Sequence, residues 1–179
     1  MSTQTKSWRW PLAAASSTDF ETLYREQLPK VYNFFRYRFG DDSLAEDLTA
    51  ATFEKAWRKR DQYRRDLSAL PTWLFTIARR IAIDYYRRAK VEVAFDEANE
   101  LVDPETLEDQ TSRAEDLAHL NALLIGLESR ERELIALKYG AGLTNRAVAD
   151  LTGLSESNVA VILFRVVRSL QEKWERSYE

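Results

Sequence analysis

No cysteine occurs in the sequence, and histidine occurs once. The first absence excludes disulfides, thiolate-ligated zinc and a cysteine nucleophile, and it fits a reducing compartment. The second leaves only His119, which lies in a helical pattern beside Leu117 and Leu120 and reads as a surface histidine. Also missing are a glycine-rich phosphate loop and any cluster with metal-ligand spacing; carboxylate pairs such as Glu46-Asp47 and Asp41-Asp42 have no base or nucleophile beside them. No catalytic residue, metal, cofactor or small-molecule substrate is therefore expected. Long apolar runs are absent too, since charges interrupt every stretch well before the roughly eighteen residues of a membrane span. The start, MSTQTKSWRWPLAAASSTDF, has only the run from Pro11 to Ala15, too short for a signal-peptide core. A soluble, cytoplasmic chain without membrane insertion is the expectation.

What is present is charge, unevenly distributed. The formal net charge of −3 averages two opposed blocks. From Glu54 to Lys90 there are eleven Lys or Arg against four Asp or Glu, a local +7; from Val91 to Ala118 there is one Arg against ten acids, a local −9. With 45% apolar residues, the 179-residue chain has enough hydrophobic side chains for one domain or two small ones.

The apolar residues recur with helical period. Phe20, Leu23, Tyr24, Leu28, Val31, Phe34 and Phe35 form one stripe, broken at Gly40-Asp41-Asp42-Ser43. LAEDLTAATFEKAWRK follows with Leu44, Leu48, Ala51, Phe53 and Trp57. Residues 60–70 lose the period, and Pro71 suits the first turn of the next helix, where a missing N–H costs nothing. That helix, PTWLFTIARRIAIDYYRRAK, carries Trp73, Leu74, Ile77, Ala78, Ile81 and Tyr85 on one face, with Arg79, Arg80, Arg87 and Arg88 largely elsewhere. Residues 91–112 combine Pro104 with many acids and no period, as a solvated tether does. From Ala114 two more helical segments follow, divided near Glu128-Ser129. No useful strand-like alternation and no internal repeat occurs. The expected fold is all-α: a flexible tail over 1–18, a helical bundle over 19–90, an acidic flexible linker over 91–112 and a second bundle over 113–179.

The second bundle contains LTNRAVADLTGLSESNVAVILFRVVRSL, the rhythm of a helix-turn-helix. With Asn145 as its first residue, Ala149 falls where the helices touch and Gly153 falls in the turn, where positive φ is cheap only for glycine. Ser155 is a natural N-cap. Val159, Ile162, Leu163, Val166 and Leu170 form the inward stripe, which leaves Ser157, Asn158, Ala160, Val161, Phe164, Arg165 and Arg168 outward, with Thr144 and Ser155 at the helix starts. Asn can pair with adenine, Ala and Val can touch thymine methyls, and the arginines can hold phosphates. So sparsely charged a face binds duplex weakly alone, because affinity follows the number of phosphates neutralised. A larger partner must supply the rest.

In this order the segments resemble bacterial sigma factors of the extracytoplasmic-function type, the short two-domain class, over about residues 19–175. AEDLTAATFEKAW resembles the helix that grips the clamp of core RNA polymerase; PTWLFTIARRIAIDYYRR is similar to the helix beside the melted promoter element; and the helix-turn-helix is the family's reader of the upstream element. Ala50 and Ala51 replace polar or acidic residues common in the family, Arg80 stands where Asn is frequent, and Ala160 to Ile162 replace a stretch that is often basic. The resemblance implies core RNA polymerase and promoter DNA as partners and an anti-sigma factor as inhibitor. It assigns polymerase contact to Glu46, Asp47, Leu48, Phe53 and Trp57. The carboxylates can meet basic or amide groups while the apolar residues anchor, although packing within the bundle is the better account of Phe53.

Downstream promoter contact is expected from Arg60, Tyr63, Arg64, Arg65, Trp73, Arg79, Arg80, Arg87 and Arg88. Tyr63 among arginines reads as a platform for an unstacked base, which the resemblance identifies with a base flipped from the non-template strand. A tether of about twenty residues reaches at most ~70 Å, roughly two duplex turns of ~34 Å. Its acids, Asp96, Glu97, Glu100 and Asp103 among them, suit a basic channel. Two other readings compete: a dimeric helix-turn-helix regulator that binds operators without polymerase, and a protein-interaction module that binds no DNA.

Overall fold

The computed structural model describes residues 17–64, 68–95 and 112–177, with side chains at 20–64, 68–89 and 115–177. Every regular element among them is helical. α1 (Ser17–Phe39), α2 (Asp42–Lys59) and α3 (Leu70–Phe95) form the N-terminal unit, with one 3₁₀ turn at Arg60–Gln62 after α2. α4 (Ser112–Ile125), α5 (Ser129–Ile135), α6 (Asn145–Thr152) and α7 (Glu156–Arg176) form the C-terminal unit; α5 runs directly into a single π turn at Ala136–Gly140.

The expected breaks fall where local chemistry sets them. α1 stops at Gly40, whose φ of 75° lies in the left-handed region and whose N–H bonds the Arg36 carbonyl at 2.8 Å. The Asp41 carboxylate then caps α2 by accepting from the Leu44 amide at 2.8 Å. α4 and α5 divide at Gly126–Glu128, as the pattern anticipated. α3 differs from its expected end: it continues to Phe95, five residues into the stretch read as linker, because acidic composition alone does not stop a helix and no Pro or Gly occurs there before Pro104. Of the expected tail over 1–18, Ser17 and Thr18 already belong to α1, and of the expected linker over 91–112, Ser112 begins α4; residues 1–16 and 96–111, with Asp96, Glu97, Glu100 and Asp103, lie outside the described residues.

The helical stripes meet in one continuous core. Val31, Phe34 and Phe35 of α1 and Leu74, Phe75 and Ala78 of α3 are fully buried, and so are Leu137, Val148 and Val159 of the C-terminal unit. Burying each large side chain contributes about 1.5–3 kcal/mol. The two units are therefore packed together, with α1 lying along both α2 and the π turn.

Candidate nucleic-acid interface

Three faces carry the residues singled out in the sequence. On α2, Glu46 and Asp47 are exposed and Leu48 is half-buried against the core. Phe53 is buried and meets Tyr24 edge-on at 4.7 Å, so it packs the bundle and is not an exposed anchor. Trp57 is 43% exposed, touches Phe20 at 4.9 Å and lies beneath the Arg60 guanidinium at 4.1 Å. This cation–π contact orders Arg60 at the α2 terminus. Beside it, a groove of about 480 Å³ between α2 and α3 is lined by Lys55, Arg58, Lys59 and Arg88 with Glu54 and Asp84.

The loop before α3 departs from expectation. Tyr63 is only 5% exposed; its ring lies 5.3 Å from Trp73 and its hydroxyl donates to the Ser68 carbonyl at 3.0 Å. The expectation of an open aromatic platform at Tyr63 is thus corrected: burial against Trp73 and a satisfied hydroxyl outweigh the flanking charge. Arg64 beside it is exposed, and Arg65 lies outside the described residues. Along α3, Arg80, Arg87 and Arg88 are exposed. Arg79 is not: its Nε donates to Glu133 Oε1 of α5 at 2.8 Å, with side-chain exposures of 28% and 12%.

The helix-turn-helix forms as read. α6 and α7 are bent 107° from one another, within the usual range for the motif. Gly153 closes α6 with φ 73°, Ala149 is buried at the crossing, and Ser155 Oγ accepts from the Asn158 amide at 3.2 Å. Thr144 caps α6 in the same way through the Ala147 amide at 3.2 Å. Val159, Leu163 and Val166 are buried, with Ile162 and Leu170 partly so. The opposite face bares Ser157, Asn158, Ala160, Val161, Phe164, Arg165 and Arg168. Val161 is 56% and Phe164 69% exposed, the two most exposed of the large hydrophobic side chains among the described residues. Arg168 pairs with Glu172 on the same helix at 3.2 Å.

Sequence reasoning missed the seam between the units. Arg38 of α1 is 4% exposed; it donates to the Ser129 carbonyl and, at 3.3 Å, to Ser129 Oγ, while its guanidinium sits 5.0 Å from the Tyr86 ring. Burial pushes this guanidinium below its usual pKa, and Tyr86 and Glu133 oppose that shift. Its Nε has no acceptor. Gly140 approaches α1 so closely that a Cβ there would stand 2.8 Å from the Asn33 carbonyl oxygen. His119, at 2.8 Å from Ser177 Oγ and 4.9 Å from the Trp174 ring, ties α4 to the end of α7.

A helix-turn-helix with exposed apolar side chains on its second helix, joined to a three-helix unit with a basic third helix, has the architecture of a DNA-binding protein of two helical units. A family model described as Sigma-70 region 2 matches residues 23–91, and one described as Sigma-70, region 4 matches residues 119–170. The ECF RNA polymerase sigma factor BldN of Streptomyces coelicolor is 30% identical over 165 residues, 88% of this chain and 61% of BldN. The RNA polymerase sigma factor YlaC of Bacillus subtilis is 30% identical over 164 residues, covering 89% and 94%. The sigma factor RpoE of Bartonella quintana, solved in complex with the anti-sigma factor NepR, superposes with a TM-score of 0.73 at 27% identity, covering 88% of this chain and 98% of that one. The chain belongs to the ECF RNA polymerase sigma factors. Members of that family are transcription initiation factors.

Proposed function

We propose that the chain recruits core RNA polymerase through α2, contacts the melted downstream promoter element through α3 and the loop before it, and reads the upstream element with α7. The observation that carries this reading is the outward face of α7. Phe164 and Val161 stand bare beside Asn158 and Arg165, the set that recognises base edges and phosphates in a major groove. On α2, Glu46 and Asp47 are exposed near the N-terminal end and Trp57 near the C-terminal end, so the helix offers carboxylates and an aromatic anchor along its length to a protein partner. The exposed Arg80, Arg87 and Arg88 suit the backbone of an opened strand.

The chain acts as a non-enzymatic cytoplasmic factor in this reading. Among the described residues no single helix is long and apolar enough to cross a membrane, and no group of acidic residues and histidine could hold a metal ion. RpoE's capture with NepR supports an anti-sigma partner for this chain as well. The test is reconstitution with core polymerase on a promoter library. Specific open complexes are expected only when both are present. Site-selective binding to intact duplex without core would favour an operator-binding regulator, and no DNA binding in either case a docking module.

A further inference from the structure

Lys55 and Lys59 enter none of the assignments above. They stand one turn apart on α2, both half-buried, and both line the groove of about 480 Å³ between α2 and α3. A half-buried lysine covers its aliphatic stem and keeps its ammonium group wet. Among the described residues, the ion pair in this groove joins Arg58 to Glu54 at 2.6 Å, and Lys55, Lys59, Arg88 and Asp84 have none. The rest of the lining is apolar or aromatic. Leu48 and Ile81 pack against the core, and Tyr85 is 36% exposed, its ring held edge-on to Phe39 at 5.1 Å.

These features select a class of ligand. The volume falls within the ~300–1,000 Å³ that takes small molecules. Unpaired cations call for an anion, and lysine suits phosphate as a point charge. The apolar walls and the Tyr85 ring call for a flat, weakly polar group. The Asp84 carboxylate calls for a donor, such as a ring amino group or a sugar hydroxyl. Inorganic phosphate meets the first requirement alone and a fatty acid lacks the donor, whereas a nucleoside polyphosphate meets all three.

We propose that the groove between α2 and α3 binds a free nucleoside polyphosphate, with its phosphates on Lys55, Lys59 and Arg88, its base against Leu48, Ile81 and Tyr85, and Asp84 accepting from base or sugar. A nucleotide within a DNA strand has the same parts, but its backbone must run on past the groove, and beyond Leu48 α2 exposes Glu46 and Asp47, which repel phosphate. The site does not depend on the assignments of α2 to polymerase and α3 to promoter.

Calorimetric titration of the full chain with ATP and with GTP is the test. At least one of them is expected to bind one-to-one, and more tightly than its nucleoside or inorganic pyrophosphate. Lys55→Gln and Lys59→Gln should each weaken that binding about tenfold, the size of one charge-assisted hydrogen bond. Ala51→Leu, which fills the groove without changing charge, should weaken it at least as much. Lys30→Gln removes the same charge from an exposed position on α1 outside the groove and should leave binding unchanged. Binding of neither nucleotide at millimolar concentration would overturn the proposal. So would binding that survives Ala51→Leu, or that Lys30→Gln weakens as much as Lys55→Gln does, since general attraction to positive charge then accounts for it. Pyrophosphate binding as tight as that of nucleotide would remove the base from the site. Displacement of the nucleotide by a short single strand of random sequence, itself bound more weakly by Ala51→Leu, would assign the groove to nucleic acid instead.

Discussion

Gly153 and Gly140 are both needed, for opposite reasons. At Gly153 a Cβ would meet nothing within 4 Å, yet φ is +73°, so the cost of a side chain is conformational. Gly153→Ala should destabilise the protein by about 1 kcal/mol, and Gly153→Asn by less, because Asn tolerates the left-handed region; chemical denaturation measures both. At Gly140 the obstruction is the neighbouring backbone. Asp47 tests a different property: being exposed on α2, it can be replaced at little structural cost. Asp47→Ala should weaken core polymerase binding about tenfold with the melting temperature unchanged, as a titration of labelled protein with core would read. Gly153, Ala149 and Ser155 were legible in the sequence because turn and cap chemistry is local. Tyr63 and Arg79 were not. Each has its decisive partner elsewhere in the fold, Trp73 for one and Glu133 for the other, and charge in the surrounding sequence gave no sign of either.

Among the helices, α7 separates most clearly a buried face from the face proposed to read DNA. Its inner face, with Val159, Leu163 and Val166, is buried, whereas Phe164 and Val161 contribute little to the core. Phe164→Ala should therefore leave stability nearly unchanged while reducing discrimination among upstream elements by about 1–3 kcal/mol per affected base pair, measured by holoenzyme binding to a promoter selected from the library. Arg165→Ala should instead weaken binding to all sequences alike and lower the salt slope by about one. The α7 stripe was readable as a pattern because an amphipathic helix repeats its instruction every turn. The end of α3 was less so: a helix stops where something terminates it, and between Lys90 and Phe95 the sequence contains no terminator.

For the assembled chain, one core cluster spans both units, so they should unfold together. A single calorimetric transition is expected for the natural protein, and two for Gly140→Ala, whose strain falls on the contact between units. The two-bundle division was apparent from the acidic composition between the units. Their packing was not, because Arg38 and Ser129 lie 91 residues apart and Arg79 and Glu133 lie 54 apart. Each reads as an ordinary surface residue within its own helix.

At Gly140 the atoms nearest to an added Cβ all belong to the α1 backbone at Asn33 and Phe34, and Gly140 is not among the residues proposed for promoter or polymerase contact. Any side chain gained at that one codon is therefore felt first as strain where the two halves of the molecule meet, whatever sequence the outward helix faces address.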